Sequence, residues 1–235
     1  MELLFREDPY LKSCEATVTA AGPEGLRLDR TVFYPTGGGQ PGDSGQLVLD
    51  DGSRLRVVDA VKGETHEDVV HVLEDGAAAP APGTKVTAEI DWERRHKHMR
   101  MHSCLHLLCA VVTGDVTGGQ IGAEKGRLDF NLPDTQLDKA HITAELNRLV
   151  EEDHPVLPRW ITAEELQAQP DLVRTMSVKP PMGGGRVRLL DIQGVDLQPC
   201  GGTHVSHTGE IGRVRVGKIE NKGRQNRRIN ILFDE

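Results

Sequence analysis

The sequence predicts an α+β fold, in which a small antiparallel β-barrel is followed by a domain of helices packed on an antiparallel sheet. Short β-branched segments recur through the first 90 or so residues, divided by Gly, Pro, Asp and Ser. A stretch of about twenty residues without Gly or Pro then begins at Trp92. We therefore place the domain boundary at Asp91, which gives domains of residues 1–91 and 92–235.

The predicted barrel strands share a β-branched composition and, in places, alternation of apolar and polar residues. They span residues 14–21, 26–34, 45–51, 53–61, 68–74 and 84–91. The segment DGAAAPAPG at residues 75–83 resembles a linker. We interpret it as a long surface loop, because a strand-like segment follows it before the boundary.

One long helix is predicted at the start of the second domain. Asp91 is a suitable N-cap for a helix that begins at Trp92, and the helix is expected to end before Gly114. Its second half is almost entirely apolar. We therefore expect that half of the helix to be buried.

Two further helices and several strands complete the second domain. Helical spacing within residues 135–153 is shown by four apolar residues, Ile142, Leu146, Leu149 and Val150. A short helix is predicted to begin at a capping box of Thr162 and Glu165 and to stop at Pro170. Residues 183–198 and 209–233 alternate like strands around glycine-rich turns.

Charge and composition limit the classes of function. The chain has 235 residues and a net charge of -8, which argues against a protein that coats nucleic acid by bulk attraction. Basic residues nevertheless cluster at 92–100 and 213–228, either as local phosphate contacts or as ordinary solvated faces. Only two Trp, two Tyr and four Phe are present, so a base-stacking platform is not supported.

Localisation is inferred from what the sequence lacks. The N-terminus has no signal-peptide pattern, and the longest apolar run is Leu107 to Val112. Four cysteines are too few and too irregularly spaced for a disulfide framework. We expect a soluble, cytoplasmic protein with reduced thiols.

Two pairs of residues form a candidate metal site. His102 and His106 lie four residues apart on the long helix, which places their imidazoles on one face, roughly 6 Å apart at Cβ. Cys200 and His204 lie in the segment CGGTH. Mixed thiolate and imidazole ligands favour zinc.

The fourth ligand stays open at this point. Cys109 lies on roughly the same helical face as His106, and His207 is an alternative to His204. The residues between His102 and His106 include no Glu, which excludes the H-E-x-x-H protease motif.

A glycine-rich segment, FYPTGGGQPGDSG at residues 33–45, is a second candidate site. Gly37, Gly38 and Gly39, followed by Gln40, would allow the backbone to approach a ligand closely and direct amides at an anion. A sharp barrel loop is the simpler interpretation. The segment is not a P-loop, because no G-K-[ST] follows.

Five motifs in order resemble one family. FYPTGGGQPGD, RMHSCLHLL, RLDFNLP, PCGGTHV and NKGRQNRRI are similar to segments of the free-standing alanyl-tRNA editing proteins of the AlaX type, relatives of the editing domain of alanyl-tRNA synthetase. The resemblance covers nearly the whole chain and points to the medium-size members. No ATP-binding unit precedes the motifs, so we expect an editing protein and not a synthetase.

The resemblance implies a zinc-dependent aminoacyl-tRNA deacylase. Its expected substrate is tRNA(Ala) mischarged with serine or glycine. The implied ligands of one zinc ion are His102, His106, Cys200 and His204. With four protein ligands, the zinc is expected to order the pocket or hold substrate, and generation of hydroxide is the less favoured role.

Substrate contacts are predicted in both domains. Thr36 and Gln120 are candidates for contacting the serine hydroxyl or orienting water, although a turn-capping Thr and a surface Gln are equally good interpretations. Gly37 to Gln40 are candidates for substrate binding. Acceptor-stem phosphates could be contacted by two basic groups: Arg94, Arg95, Lys97 and Arg100, and the Lys222–Arg228 segment with Arg227 and Arg228.

Two other functions compete with hydrolysis of the tRNA ester. A zinc-stabilised tRNA-binding module without hydrolytic activity would need the same ligands and basic patches. A metallohydrolase acting on small esters is weaker, because it has no use for the basic C-terminal strands.

Overall fold

A computed structural model describes residues 1–65, 67–132, 136–169, 172–173, 182–183 and 185–234. The chain forms two compact units, Met1–His96 and Lys97–Glu235. Within the described residues, no helix has the length and apolar character needed to cross a membrane. The predicted α+β class is confirmed, because a closed antiparallel barrel is followed by helices and antiparallel sheets.

The first unit is built around the predicted barrel. Among its described residues, six strands close in the order β2, β3, β7, β6, β5, β8, with antiparallel pairing throughout. Two short strands, β1 and β4, pair in parallel beside them. The strands are β1 (Glu2–Leu3), β2 (Ser13–Gly22), β3 (Gly25–Leu28), β4 (Arg30–Thr31), β5 (Gly45–Leu49), β6 (Arg54–Lys62), β7 (Val69–Leu73) and β8 (Lys85–Ile90).

Alternation of side chains explains how this unit makes a core. In β8, Val86, Ala88 and Ile90 are buried, while the two residues between them are half-buried. Successive strand residues point to opposite faces, so every second residue enters the barrel. The apolar side chains of Leu26 and Leu47 are completely buried in the same core.

Within the first unit, a buried ion pair joins the glycine-rich loop to the first turn of the helix that begins at Trp92. Arg95 and Asp43 are 0% and 1% exposed. Arg95 Nε lies 3.1 and 3.0 Å from the two carboxylate oxygens, and Nη2 is also in contact with Asp43. Asp43 in turn accepts a hydrogen bond of 2.6 Å from the Tyr34 amide, which joins the two ends of the loop.

This arrangement corrects one expectation from the sequence. Arg95 donates its remaining hydrogen bonds to the carbonyl oxygens of Pro9 and Val32, at 2.9 and 2.6 Å. The predicted contact between Arg95 and phosphate is therefore wrong, because no part of the guanidinium reaches solvent.

The second unit contains the predicted helices. Helix α1 (Trp92–Val111) starts in the first unit and belongs to the second from Lys97. Asp91 caps it, because its carboxylate accepts a hydrogen bond from the Arg94 amide at 3.2 Å. Residues 101–109 are all buried, as their apolar composition predicts.

Helix α2 (Lys139–Glu151) and helix α3 (Ala163–Gln167) also form where predicted. The buried face of α2 consists of the four predicted residues, Ile142, Leu146, Leu149 and Val150. The Thr162/Glu165 capping box begins α3. The predicted stop at Pro170, and Pro133 in the RLDFNLP motif, lie outside the described residues.

Two antiparallel sheets account for the strands described in the second unit. The first has the order β15, β16, β10, β9, and in the second β13 pairs with β11 on one edge and with β12 and β14 on the other. The strands are β9 (Asp115–Gln120), β10 (Lys125–Asn131), β11 (Val156–Thr162), β12 (Met182–Gly183), β13 (Arg186–Ile192), β14 (Asp196–Pro199), β15 (Val214–Asn221) and β16 (Asn226–Phe233). The sequence did not predict the division into two sheets, nor β9, β10 and β11.

Close packing of the helices on the first sheet is visible at Gly126. A Cβ atom added there would lie 2.7 Å from Met101 Sδ on α1, so a larger residue would require the Met101 side chain or the helix to shift. Helix α2 packs on β15, where the Asn147 side chain exchanges hydrogen bonds with the backbone of Val214 at 2.8 and 3.0 Å. The contact at Gly126 therefore places the buried half of α1 against β10.

Replacing Asp43 with Ala is expected to destabilise the first unit by about 3–5 kcal/mol, because the Arg95 charge would stay buried without its partner. The exposed pair of Arg30 and Glu2, at 49% and 52% exposure, provides the matched control. Glu2→Ala should cost less than about 1 kcal/mol. Urea unfolding of the three proteins measures both values, and equal small costs would contradict the structural role of the buried pair.

Candidate metal centre

Four side chains of the second unit converge on one point. His102 and His106 extend from the same face of α1, with ring centroids 5.4 Å apart. Cys200 directly follows β14, and His204 lies four residues further along the connecting segment. The helix therefore supplies one pair, and the segment after β14 supplies the other.

The distances within this group suit a single metal ion. Cys200 Sγ lies 3.1 Å from His204 Nε2 and 3.6 Å from His102 Nε2. One ligand atom from each of the four residues lies within 4.8 Å of all the others. Ligands of one tetrahedral zinc ion are roughly 3.6 Å apart for a sulfur and a nitrogen, given the usual bond lengths. The group can therefore hold one metal ion.

All four candidate ligands are buried. Their exposed fractions are 7% for His102, 8% for His106, 8% for Cys200 and 3% for His204. Buried imidazoles and thiolates require partners. Metal coordination would provide one partner for all four side chains.

The segment carrying Cys200 is held by a buried arginine. Arg188, on β13, donates to the carbonyl oxygens of Cys200 at 2.8 Å and Gly202 at 3.2 Å. The Cys200 amide donates back to the Arg188 carbonyl at 3.1 Å. The Gly202 amide lies 3.5 Å from Cys200 Sγ, a contact that favours the thiolate.

Electrostatics within the group also favour a thiolate. Burial raises the pKa of the Cys200 thiol. The nearby His102, His204 and His106 lower it by more than burial raises it, so the pKa lies well below its usual value. Burial lowers the pKa of His106, but Cys200 and Asp196 outweigh it and raise that pKa to about 10. Burial and the neighbouring His102 hold the pKa of His204 well below its usual value.

Two other ligand candidates lie outside this group. Cys109 is buried on α1 and His207 is exposed, and neither belongs to the ligand group found among the described residues. His207 directly precedes a 3₁₀ turn at Thr208–Ile211. Cys104 is buried as well, and burial raises its pKa to about 12, so this thiol is unreactive at neutral pH.

Sequence reasoning missed the residues that surround the ligands. Asp196 and Gln198 occupy alternate positions of β14, and Cys200 follows at the next alternate position, directly after the strand. All three are buried. Polar residues at every second position before Cys200 were the available signal, because such positions share one face of a strand. No comparable signal marked Ser103, because it lies in a helical segment in which every residue from 101 to 109 is buried.

The glycine-rich loop belongs to the first unit and is well ordered by hydrogen bonds. Gly37 and Gln40 exchange backbone hydrogen bonds of 3.0 and 2.9 Å, and Gly38 and Gly39 between them have φ angles of 58° and 82°. The Thr36 hydroxyl accepts from the Gly42 amide at 2.8 Å. Thr36 therefore caps the turn, and roles for Thr36 and Gly37 to Gln40 in substrate binding stay predictions.

Gln120 and the basic strand residues have partners within the second unit. Gln120 is exposed at the end of β9 and accepts from Arg127 at 3.3 Å. Arg228 binds both carboxylate oxygens of Asp129 at 2.8 Å, whereas Arg227 contacts the carbonyls of Gly223 and Asn226 at 3.4 and 3.3 Å. Their catalytic and tRNA-binding roles also stay predictions.

Known proteins share both halves of this sequence. The family described as "Threonyl and Alanyl tRNA synthetase second additional domain" matches residues 187–230, which include Cys200 and His204. The family described as "tRNA synthetases class II (A)" matches residues 9–94.

Full-length relatives define the family. "Alanyl-tRNA editing protein AlaX-M" of Methanosarcina mazei is 38% identical over 97% of this chain and 94% of its own length. The protein of the same name from Saccharolobus solfataricus is 33% identical over 97% of both chains. The "Alanine–tRNA ligase" of Metallosphaera sedula is 38% identical over 93% of this chain but only 24% of the ligase. The chain therefore belongs to the AlaX-M family of alanyl-tRNA editing proteins, as its motifs predicted.

Proposed function

We propose that the protein is a trans-editing hydrolase that removes serine or glycine from mischarged tRNA(Ala), with one zinc ion bound by His102, His106, Cys200 and His204. The observation that carries this proposal is the buried Cys-His₃ group in a chain that matches AlaX-M editing proteins along 97% of its length. We also infer that the protein acts in the cytoplasm, where charged tRNA is used.

Zinc is the metal that the donor atoms favour. Three imidazoles and a thiolate suit zinc, while magnesium and calcium prefer oxygen ligands. Four protein ligands in a buried group are typical of a closed tetrahedral shell. When bound, zinc would supply a positive charge and a Lewis acid to the pocket.

A separate editing site has a clear physical reason. The aminoacylation pocket of a synthetase, sized for alanine, cannot strongly reject glycine, which is smaller, or serine, which adds one hydroxyl. A second pocket can instead hydrogen-bond the serine hydroxyl that alanine lacks. Thr36 and Gln120 are our candidates for that contact or for orienting the attacking water, and Gly37 to Gln40 for holding the substrate.

The reaction requires only modest help from the protein. An aminoacyl ester is already reactive, so binding the substrate and positioning a water can provide much of the acceleration. We assign these tasks to the second unit, which carries the ligand group. Cys200 and the three histidines would order the pocket in which the amino acid is held.

Exposed basic residues of the second unit are the proposed contacts for the acceptor stem. Arg213, Arg215, Lys222 and Arg224 are exposed on or beside β15 and β16. Double-stranded RNA is recognised mainly through shape and backbone contacts, for which scattered arginines and lysines are sufficient. Arg228 contributes less to this surface, because Asp129 already binds its guanidinium.

Replacing His102 with Ala should lower deacylation of Ser-tRNA(Ala) and Gly-tRNA(Ala) by about 100-fold or more, since even indirect partners of a metal change activity 10–100-fold. The matched control is His207→Ala, which removes an exposed histidine seven residues after Cys200 in the sequence and outside the ligand group. It should retain activity. The measurement is release of labelled amino acid, with correctly charged Ala-tRNA(Ala) as the substrate that should be spared.

The same assay separates hydrolysis from binding alone. If wild-type protein binds mischarged tRNA(Ala) but releases neither serine nor glycine, the protein is a zinc-stabilised tRNA-binding module. Release from tRNA(Ala) carrying alanine at an equal rate would contradict editing and indicate an unselective esterase.

Replacing Arg227 with Ala should weaken tRNA binding and reduce the slope of log affinity against log salt by about 1, because one phosphate contact would be lost. Arg148→Ala is the charge-matched control, since Arg148 is 51% exposed on α2 and pairs with Glu145 and Glu152. Filter binding at low and high salt measures both variants. An unchanged slope and affinity for Arg227→Ala would restrict Arg227 to contacts within the protein.

A further inference from the structure

Two histidines of the metal centre have their second ring nitrogen bonded to a buried side chain. His106 Nδ1 lies 3.2 Å from Asp196 Oδ2, and His204 Nδ1 lies 3.1 Å from Ser103 Oγ. Both partners are themselves buried, with exposed fractions of 6% for Asp196 and 0% for Ser103. These contacts are therefore built into the interior of the second unit.

The Asp196 contact selects one tautomer of His106, and the Ser103 contact can accept the matching tautomer of His204. A carboxylate can only accept, so the neutral, metal-binding form of His106 carries its proton on Nδ1 to bond Asp196 and leaves Nε2 as a lone-pair donor. Ser103 Oγ already accepts from the Val205 amide at 3.2 Å and has a second lone pair for the Nδ1 proton of His204. In that tautomer, His204 Nε2 faces Cys200 Sγ, 3.1 Å away, with its lone pair available.

Charge balance gives Asp196 a further task. A divalent ion with one thiolate and three neutral imidazoles leaves one net positive charge in a buried site. The Arg188 guanidinium, which contacts the carbonyls of Cys200 and Gly202, adds another positive group nearby. Uncompensated charge is costly in the interior, so the Asp196 carboxylate would stabilise the loaded state.

A third side chain holds the carboxylate in place. Gln198 Nε2 donates to Asp196 Oδ2 at 2.6 Å, the same oxygen that His106 Nδ1 approaches. Both residues lie on β14, two positions apart, and so on one face of the strand. The strand that leads to Cys200 thus orients a histidine on α1 as well.

We propose that Asp196 and Ser103 are positioning residues of the metal centre, which fix His106 and His204 in the tautomer that binds metal through Nε2. The proposal rests on the metal centre of the proposed function. It assigns to Asp196 the larger effect, because Asp196 both orients a ligand and compensates charge.

The test is the zinc affinity of the full-length protein, measured by competition with a chromophoric chelator. Asp196→Asn keeps the size of the side chain but removes its charge, and should weaken zinc binding about 10–100-fold. Ser103→Ala should weaken it by a smaller factor. Asp191→Asn is the matched control, since Asp191 lies on the neighbouring strand β13 and pairs with Arg159 instead; its affinity should equal that of the wild type.

A spectroscopic signature separates positioning from a loss of folding. Protein loaded with cobalt in place of zinc should show shifted visible bands in Asp196→Asn, because the ligand field at His106 changes, while Asp191→Asn leaves them unshifted. Zinc affinities of Asp196→Asn and Ser103→Ala within twofold of the wild type would overturn the positioning role, even if deacylation proceeds as proposed. Absence of equimolar zinc binding by the wild type would overturn the metal centre itself, and the positioning role with it.

Discussion

Burial of a thiolate and three imidazoles at one point is the constraint on which the second unit depends. Side chains of this kind are costly to bury without partners, and here their ligand atoms lie within 4.8 Å of one another. The arrangement explains why so much of the surrounding interior is polar. Arg188 fixes the carbonyls of the Cys200 segment, while Asp196 and Ser103 hold two of the rings.

Elements far apart in the sequence position the four ligands: α1 carries His102 and His106, and the segment after β14 carries Cys200 and His204. Close approach of α1 to β10 at Gly126 keeps the buried half of the helix against the first sheet, so His102 and His106 have fixed origins. Pairing of β13 with β14 fixes the start of the Cys200 segment. An editing pocket built on such elements would need little rearrangement to hold a small amino acid.

Much of the fold and the ligand group could be predicted because short-range patterns specify them. Helical spacing pairs His102 with His106, and alternation in β8 marks the barrel core. Other features depend on contacts distant in the sequence. Pro158 argues against a central strand, yet β11 forms because it lies at a sheet edge and pairs only with β13 among the described strands. Likewise, nothing local shows that Arg95 is buried against Asp43, since a basic cluster looks the same whether it faces water or a carboxylate 52 residues away.

X-ray absorption at the zinc edge, on protein loaded with one equivalent of zinc, tests the proposed ligand set most directly. A zinc ion bound by these four residues should show one sulfur at about 2.3 Å and three imidazole nitrogens at about 2.0–2.1 Å. The sulfur signal should disappear in Cys200→Ala. A shell without sulfur, or one made mainly of oxygen ligands, would contradict a zinc site built from His102, His106, Cys200 and His204.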